Sequence, residues 1–183
     1  LESNDKKYAR IKALEIVIQA MEEQIKKKNE NAGVAVIDMD DFKLCNDTLG
    51  HSAGDAALRT MVKTVKHCIR KTDILIRYGG DEFILILENI KKENFFNKLV
   101  QIQSDIHAAN VPGFPKLQLS VSIGGVISSK ETVEHAVMQA DKLMYQAKEH
   151  KNMVVTEDNA SYVAPGVANR KARQQILIVD DSE

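Results

Sequence analysis

Two neighbouring acids that follow a glycine pair are the residues best suited to chemistry. Asp81 and Glu82 come directly after Gly79 and Gly80, and apolar runs on both sides of this stretch predict a β-hairpin with a tight turn. The two central residues of such a turn need positive φ, which glycine adopts without steric cost. Because adjacent strand residues point to opposite faces, we expect the two acids to have different roles. The simpler alternative is a surface hairpin whose acids are solvated.

A second acidic stretch, residues 38–41, follows a predicted buried strand over 34–37. Carboxylates at a strand end offer hard oxygen ligands to a cation such as Mg²⁺. Asp38 directly continues the strand, and Asp40 shares its face if the strand continues that far. Acids so close together repel one another unless a cation or a basic neighbour offsets their charge. Asp40 and Asp41 can also be explained as solvated loop residues.

Two further pairs of polar residues have the chemistry to bind a nucleotide. Asn46 and Asp55 flank a break at Gly50, and an amide with a carboxylate can recognise guanine through its acceptor edge and its N1–H and N2 donors. Each also has a structural explanation, Asn46 in a loop and Asp55 in a first helical turn, where an acid suits the dipole. Arg70 and Asp73 either pair with each other or form a fork for an anionic ligand.

Hydrophobic periodicity predicts the elements that must position these residues. Helices are expected over 4–28, 56–69, 91–110 and 131–150, and strands over 34–37, 74–76, 83–87, 117–126 and 153–155. The pair Gly124–Gly125 inside a predicted strand indicates a bulge or a close approach of another backbone. Residues 157–175 lack periodicity and are interpreted as a linker, and another apolar run with paired acids follows over 176–182.

Length and composition limit the class of protein. The 183 residues suffice for one domain with a short appendage, and 25 Lys and Arg nearly balance 26 Asp and Glu. No overall charge therefore attracts the chain to nucleic acid or to a membrane surface. We see no apolar run of membrane-spanning length and no signal peptide. Cys45 and Cys68 lack metal-ligand spacing, which favours reduced thiols in a cytoplasmic protein.

Three motif blocks in order resemble the GGDEF domain of bacterial diguanylate cyclases over residues 4–156. The blocks are Asp38-x-Asp40-x-Phe42-Lys43-x-x-Asn46-Asp47-x-x-Gly50-His51-x-x-Gly54-Asp55, Arg77-Tyr78-Gly79-Gly80-Asp81-Glu82-Phe83 and Ala140-Asp141-x-x-x-Tyr145-x-Ala147-Lys148. The resemblance implies an α/β fold, a mostly antiparallel central sheet flanked by helices, like the palm of nucleotide cyclases and polymerases. It divides the chain into a cyclase domain over 1–156, a linker over 157–175 and the start of another domain over 176–183.

The resemblance also implies an activity and its partners. Such enzymes condense two GTP into cyclic di-GMP and two pyrophosphates at the interface of an antiparallel homodimer, with Mg²⁺, or Mn²⁺ as the alternative, and some members are inhibited by their product. By position in the motifs, the metal ligands would be Asp38, Asp81 and the Met39 carbonyl, and the catalytic acids Asp81 and Glu82. Guanine would be bound by Asn46 and Asp55, and phosphates by Asp41, Phe42, Lys43, Lys148 and Lys151. Gly79 and Gly80 would let the backbone approach the nucleotide, and Arg70 and Asp73 would form the inhibitory product site.

The run 176–182 resembles the first strand of a receiver domain, which implies a bacterial, cytoplasmic response regulator with a histidine kinase as partner. The chain departs from the family at four points. The D-x-L-T-G-L-x-N-R segment that usually precedes the first helix is expected to be either truncated or altered here, and Lys151 replaces an arginine, keeping the charge without the bidentate fork. Only lysines follow the hairpin where a supporting arginine is usual, and no complete dimerising domain is present.

The sequence leaves three other functions to compare with the cyclase. The alternative function is a catalytically silent module that binds GTP or cyclic di-GMP as a sensor, and the intact motif at 79–83 favours the enzyme. A purely structural interaction domain conflicts with three intact motif blocks. A cyclase with a different product shares the metal chemistry, and Asn46 with Asp55 favours guanine over other bases.

Overall fold

The described residues form a six-stranded mixed sheet with helices on both faces. The computed structural model describes residues 19, 23, 31–128, 132–157 and 162–163. The strands are β1 (Ala32–Met39), β2 (Ile74–Arg77), β3 (Glu82–Glu88), β4 (Val121–Ser128), β5 (Met153–Thr156) and β6 (Tyr162–Val163). The helices are α1 (Phe42–Leu49), α2 (His51–Cys68), α3 (Lys92–Ala108) and α4 (Val133–Lys148).

The strand order is β2-β3-β1-β4-β5-β6, with β1 near the centre. Every neighbouring pair is antiparallel except β4 and β5, which are parallel. A parallel pair needs a crossover connection, and α4 provides it. The predicted α/β fold with a mostly antiparallel sheet is therefore confirmed.

The core lies on both faces of β1, whose eight residues are all buried. One face packs Ile37 with Met61 of α2 and Leu99 of α3. The opposite face packs Val34 with Ile84 of β3 and Met144 of α4. Because each such side chain contributes about 1.5–3 kcal/mol when it leaves water, this burial fixes the position of the end of β1, where the acids begin.

The glycine pair in β4 lets helices approach both faces of the sheet. A Cβ on Gly124 would lie 2.0 Å from the backbone nitrogen of Met144 in α4. A Cβ on Gly125 would lie 2.6 Å from the Leu99 side chain and 2.9 Å from Phe95, both in α3. The close approach predicted from the sequence is confirmed.

Two predicted element boundaries are wrong. The strand predicted over 117–126 begins only at Val121, because its partner β1 ends at Met39, the residue opposite Val121, and no ladder continues further. The helix α2 begins at His51, directly after the predicted break at Gly50 and slightly before the start predicted between Ser52 and Asp55. Asp55 therefore lies in the second turn and is not a first-turn acid.

Other predictions fall wholly or partly outside the described residues. Of the helix predicted over 4–28, only Gln19 and Glu23 are described, and both are helical and exposed. The receiver-like run 176–182 lies outside the described part of the chain. Within the predicted linker, residues 162–163 form β6, paired with β5. Among the described helices we find none whose length and hydropathy would allow it to cross a membrane.

Candidate functional site

Asp38 is a buried carboxylate with one oxygen satisfied and one unsatisfied. It is the penultimate residue of β1 and its side chain is 2% exposed. Lys148 Nζ lies 2.8 Å from Oδ2, whereas Oδ1 is buried and has no hydrogen-bond partner. Buried acceptors without a donor are rare and costly in folded proteins. This oxygen is therefore the atom of the described site best suited to bind a cation.

The charges around Asp38 explain its titration. Burial raises the pKa of Asp38 to about 6, Lys148 opposes this rise, and the nearby carboxylates of Asp81 and Glu82 add to it. Burial is the largest single effect on Lys148 and would lower its pKa, but the hydrogen bond to Asp38 and the negative charges of Asp38, Asp81 and Asp40 together raise it. The carboxylates of Asp38, Asp81 and Glu82 therefore lie in one region, and Lys148 forms an ion pair with Asp38, the most buried of the three.

The hairpin brings both of its acids to Asp38. Asp38 pairs with Glu82 across β1 and β3, and the Met39 N–H donates to the Asp81 carbonyl over 3.2 Å. Both acids therefore act electrostatically on Asp38, although we expected the side chains of adjacent strand residues to point to opposite faces. The strict alternation does not apply because β3 begins only at Glu82, and Asp81 belongs to the loop before it.

The turn between β2 and β3 differs from the predicted one. Tyr78 N–H and Gly79 N–H both donate to the Glu82 carbonyl, over 2.9 and 3.1 Å, and four residues separate the strands. Neither Gly79 nor Gly80 has positive φ. The expected two-residue turn is therefore wrong. Gly79 matters for space instead, since a Cβ there would lie 2.7 Å from Glu82 Oε2.

Arg77 holds this loop from outside. Its Nε donates to the carbonyls of Gly79 and Gly80 over 3.2 and 3.1 Å, and its Nη2 donates to Gly80 over 2.6 Å. The planar guanidinium can bind two carbonyls at once in a fixed geometry, which lysine cannot reproduce. Sequence reasoning placed Arg77 in a motif but assigned it no contact.

Asp40 is not the solvated loop residue that the sequence allowed. Its carboxylate accepts hydrogen bonds from Ser120 Oγ, Ser122 Oγ and the Asn152 N–H. These donors lie 80 to 112 residues away in the sequence. Sequence reasoning missed them because no local pattern reports contacts at that separation.

The predicted phosphate ligands gather around the start of α1. Asp41 precedes the helix with φ 55°, and the Cys45 N–H to Asp41 carbonyl bond is the first of the helix. The amides of residues 42–44 therefore lack intrahelical partners, and Lys43 is exposed beside them. Lys151 reaches the same turn, with Nζ 2.7 and 2.8 Å from the two Asp41 oxygens.

The predicted guanine ligands lie at the corner between α1 and α2. A Cβ on Gly54 would be 2.0 Å from Asn46 Oδ1 and 3.1 Å from the Phe42 ring. Asn46 thus packs against the residue that precedes Asp55, and Asp55 itself is exposed. The structure brings these residues to one corner of the molecule.

The predicted inhibitory pair forms a capped turn. Asp73 Oδ2 accepts from the Arg70 N–H over 2.7 Å, and Asp73 Oδ1 accepts from the Glu88 N–H over 3.1 Å. In the described part of the chain the exposed Arg70 guanidinium has no ion-pair partner. A simple side-chain pair between the two residues is therefore not formed, and the guanidinium faces solvent.

The residues present fit a metal that arrives together with phosphate. Across residues 31–128 and 132–157, no three His, Cys, Asp or Glu side chains gather closely enough to hold an ion by themselves. Mg²⁺ is usually held by one or two carboxylates together with substrate phosphates and waters. The unpartnered Asp38 Oδ1 and the hairpin acids beside it match that donor set.

Known proteins are similar to this chain in sequence. Residues 8–153 match the family model described as "Diguanylate cyclase, GGDEF domain". Diguanylate cyclase A of Treponema denticola is 34% identical over 139 residues, 73% of this chain and 37% of that protein. Diguanylate cyclase DgcS of Shewanella oneidensis is 35% identical over 125 residues, 67% of this chain and 40% of that protein. This chain thus spans less than half of the length of these relatives.

Solved structures agree with the fold. The structure of diguanylate cyclase SiaD in complex with its activator SiaC from Pseudomonas aeruginosa aligns with TM-score 0.72 and 26% identity, over 79% of this chain and 57% of that one. The GGDEF domain of DgcB from Caulobacter crescentus, in complex with c-di-GMP, aligns with TM-score 0.73 over 81% of this chain and 90% of that one. At 23% identity the second match supports the fold alone. From the match over residues 8–153 and the relatives above 30% identity, we conclude that the chain belongs to the GGDEF diguanylate cyclase family.

Proposed function

We propose that this chain contains the catalytic domain of a diguanylate cyclase, which joins two GTP into cyclic di-GMP and releases two pyrophosphates. The observation that carries the proposal is the buried, unpartnered Oδ1 of Asp38 next to the two hairpin acids. A purely structural domain has no use for such an atom, because an unsatisfied buried acceptor costs stability.

The acids would hold Mg²⁺, with Mn²⁺ as the alternative. Asp38, Asp81 and the Met39 carbonyl are the proposed ligands. The bound ion would neutralise phosphate charge and lower the pKa of the attacking 3′-hydroxyl. Asp81 is proposed to accept the proton of that hydroxyl, with Glu82 beside it in the same electrostatic field.

The surrounding groups would bind the nucleotide. Asn46 and Asp55 are proposed to read guanine by its acceptor and donor edges. The free amides at the start of α1, with Lys43, are proposed to bind phosphate, since a helix N-terminus favours anions. Lys148 and Lys151 already lie at this edge of the sheet, each paired with an acid, and are proposed to contact phosphates when these arrive.

The reaction requires two copies of the domain. Each 3′-hydroxyl attacks the α-phosphate of the other GTP, so two bonds form between the nucleotides and each nucleotide loses pyrophosphate. One site holds one GTP, and a homodimer would place two sites face to face. A response-regulator parent, a histidine kinase partner and a bacterial cytoplasmic location stay predictions from the sequence.

The test is incubation of the chain with GTP and Mg²⁺ over a range of protein concentrations, with nucleotides separated by chromatography. We expect cyclic di-GMP at a rate that rises more steeply than linearly with protein. Asp81→Asn should lower the rate by at least about a hundredfold, because it removes a ligand and the base. The matched control is Asp105→Asn, an exposed acid of α3, which should keep the rate.

The outcomes separate the functions. Near-normal turnover by Asp81→Asn would refute the assignment of Asp81. GTP binding without product, even when two domains are fused, would favour the silent sensor module over the enzyme. A linear dependence on protein would contradict the need for two copies to meet.

A further inference from the structure

Two aspartates that share a motif have opposite surroundings. Asp38 and Asp40 are two residues apart at the end of β1, a spacing that suggests two similar ligands. Asp38 keeps one oxygen without a donor, whereas both oxygens of Asp40 accept hydrogen bonds. Three protein donors occupy most of the roughly four lone-pair sites of the Asp40 carboxylate, which leaves it poorly suited to bind a cation.

The donors to Asp40 come from two other elements. Ser120 Oγ and the Asn152 N–H donate to Oδ2 over 2.5 and 2.9 Å, and Ser122 Oγ donates to Oδ1 over 2.7 Å. The backbone N–H of Asp40 also donates to the Ser120 carbonyl over 2.9 Å. The carboxylate therefore fastens the residue after β1 to β4 and to the segment after α4.

A buried connection continues from Asn152 to α3. Gln103, 0% exposed, donates from Nε2 to the Asn152 carbonyl over 3.0 Å and to its Oδ1 over 2.6 Å. Asn152 is 4% exposed and has φ 50°, and its neighbour Lys151 has φ 56°. Two successive non-glycine residues in the left-handed region are strained, so the contacts around them must offset that cost.

From these contacts we infer that Asp40 is a positioning residue, not a metal ligand: it holds the β1–α1 turn in place through a chain of hydrogen bonds, partly buried at Asp40 and fully buried at Gln103, where the chain ends. The turn that it holds carries Asp41 and the free amides at the start of α1. The inference rests on the proposed function, for which these amides bind phosphate, and extends it to a residue in α3. A displacement of about 1 Å at such a turn is enough to lower turnover greatly.

Substitution of Asp40 by asparagine and by alanine separates the two roles. Asparagine keeps the size and one acceptor, and the serine hydroxyls can rotate to accept from its amide. Asp40→Asn should therefore keep Mn²⁺ binding, measured by electron paramagnetic resonance with GTP present, and at least about a third of kcat/KM. Asp40→Ala should lower kcat/KM at least about tenfold. Asp38→Asn should lose Mn²⁺ binding.

A second measurement does not depend on turnover. The amides of Asp40 and Cys45 donate to the carbonyls of Ser120 and Asp41, so their hydrogen exchange should accelerate in Asp40→Ala and in Gln103→Leu, and should stay unchanged in Asp40→Asn. Gln103→Leu is decisive because the Gln103 side chain is fully buried, contacts Asn152 and is not itself a proposed ligand. If Asp40→Ala fails to fold, Ser122→Ala, which removes one donor, should give an intermediate acceleration.

The outcomes are distinguishable from failure of the proposed function. Loss of Mn²⁺ binding in Asp40→Asn would make Asp40 a ligand and overturn the inference. Unchanged exchange in both Asp40→Ala and Gln103→Leu would also overturn it. If the unmodified chain forms no cyclic di-GMP, the proposed function fails, while the exchange experiment still decides whether Asp40 holds the turn.

Discussion

At the residue scale, the ionisation of Asp38 links the site to the stability of the fold. Its pKa rises from 3.8 to about 6 chiefly through burial. Folding therefore favours the protonated carboxyl. The resulting contribution to stability is fully present below pH 3.8 and is lost as the pH rises through about 6.

Asp38→Asn should remove this pH dependence. Relative to the unmodified chain without metal, the variant should gain free energy of unfolding between about pH 4 and pH 7.5, by on the order of 2 kcal/mol. Urea denaturation at several pH values in the presence of a chelator measures the difference. The control is Asp105→Asn, an exposed acid. A difference that does not change with pH would contradict the assigned cause.

The acidic residues of the site could be predicted from the sequence only in part. The family resemblance implied that the hairpin acids and Asp38 share a site, and the structure brings them close to one another. The distinction between Asp38 and Asp40 was not predictable. It depends on Ser122 and Asn152, which approach only when the sheet forms.

At the element scale, the β2–β3 hairpin keeps its shape through a side chain rather than through glycine dihedrals. Arg77 binds the carbonyls of Gly79 and Gly80 from outside, and neither glycine has positive φ. The sequence predicted a turn at this place correctly, but its type was wrong. Turn propensities do not take into account a guanidinium that donates hydrogen bonds to the carbonyls of its own loop.

Arg77→Ala should loosen the loop without unfolding the domain. We expect faster hydrogen exchange over residues 78–82 and a fall in kcat of at least about tenfold, because Asp81 loses its fixed position. Arg77→Lys should recover only part, since lysine lacks the fork. The matched control is Arg59→Ala, an exposed arginine of α2. If hydrogen exchange over residues 78–82 is the same in Arg77→Ala and Arg59→Ala, the contact between Arg77 and the loop carbonyls does not stabilise the loop.

The glycine pair of β4 gives a second prediction at this scale. Gly124→Ala should lower the free energy of unfolding by at least about 2 kcal/mol, because its Cβ would meet the backbone of α4, which cannot rotate away. Gly80→Ala is the control, with open space around its Cβ and an expected change within about 0.5 kcal/mol. Urea denaturation compares the two, and equal losses would contradict the packing argument.

At the scale of the whole molecule, the sheet order joins acids and bases from distant parts of the chain. The order of helices and strands was largely predictable because hydrophobic periodicity is strong in each element. The early start expected for β4 was wrong because Leu117 and Leu119 alternate and are buried, yet β1 offers them no partner strand. A ladder forms only where a second strand is available to pair, and the hydrophobic alternation of one segment does not show whether such a strand exists.

The capped turn at Arg70 and Asp73 allows regulation and structure to be separated. Arg70→Ala should abolish inhibition by cyclic di-GMP and keep the initial rate, because its guanidinium is free of ion pairs in the described part of the chain. Asp73→Ala should instead lose about 1–2 kcal/mol of stability, since two backbone N–H groups lose their acceptor. Progress curves with added product test the first variant. Inhibition that persists in Arg70→Ala would mean that Arg70 and Asp73 only stabilise the turn.

Lys148 gives Asp38 a tethered counter-ion before any metal arrives. Under the proposed function, metal binding would be an ion exchange, in which a divalent cation competes with a monovalent one that belongs to the chain. The Lys148 side chain is already 38% exposed, so its ammonium could then move to the incoming phosphates. Chelators should consequently leave the fold intact, and the affinity of the ion should depend on whether GTP is there to receive the displaced lysine.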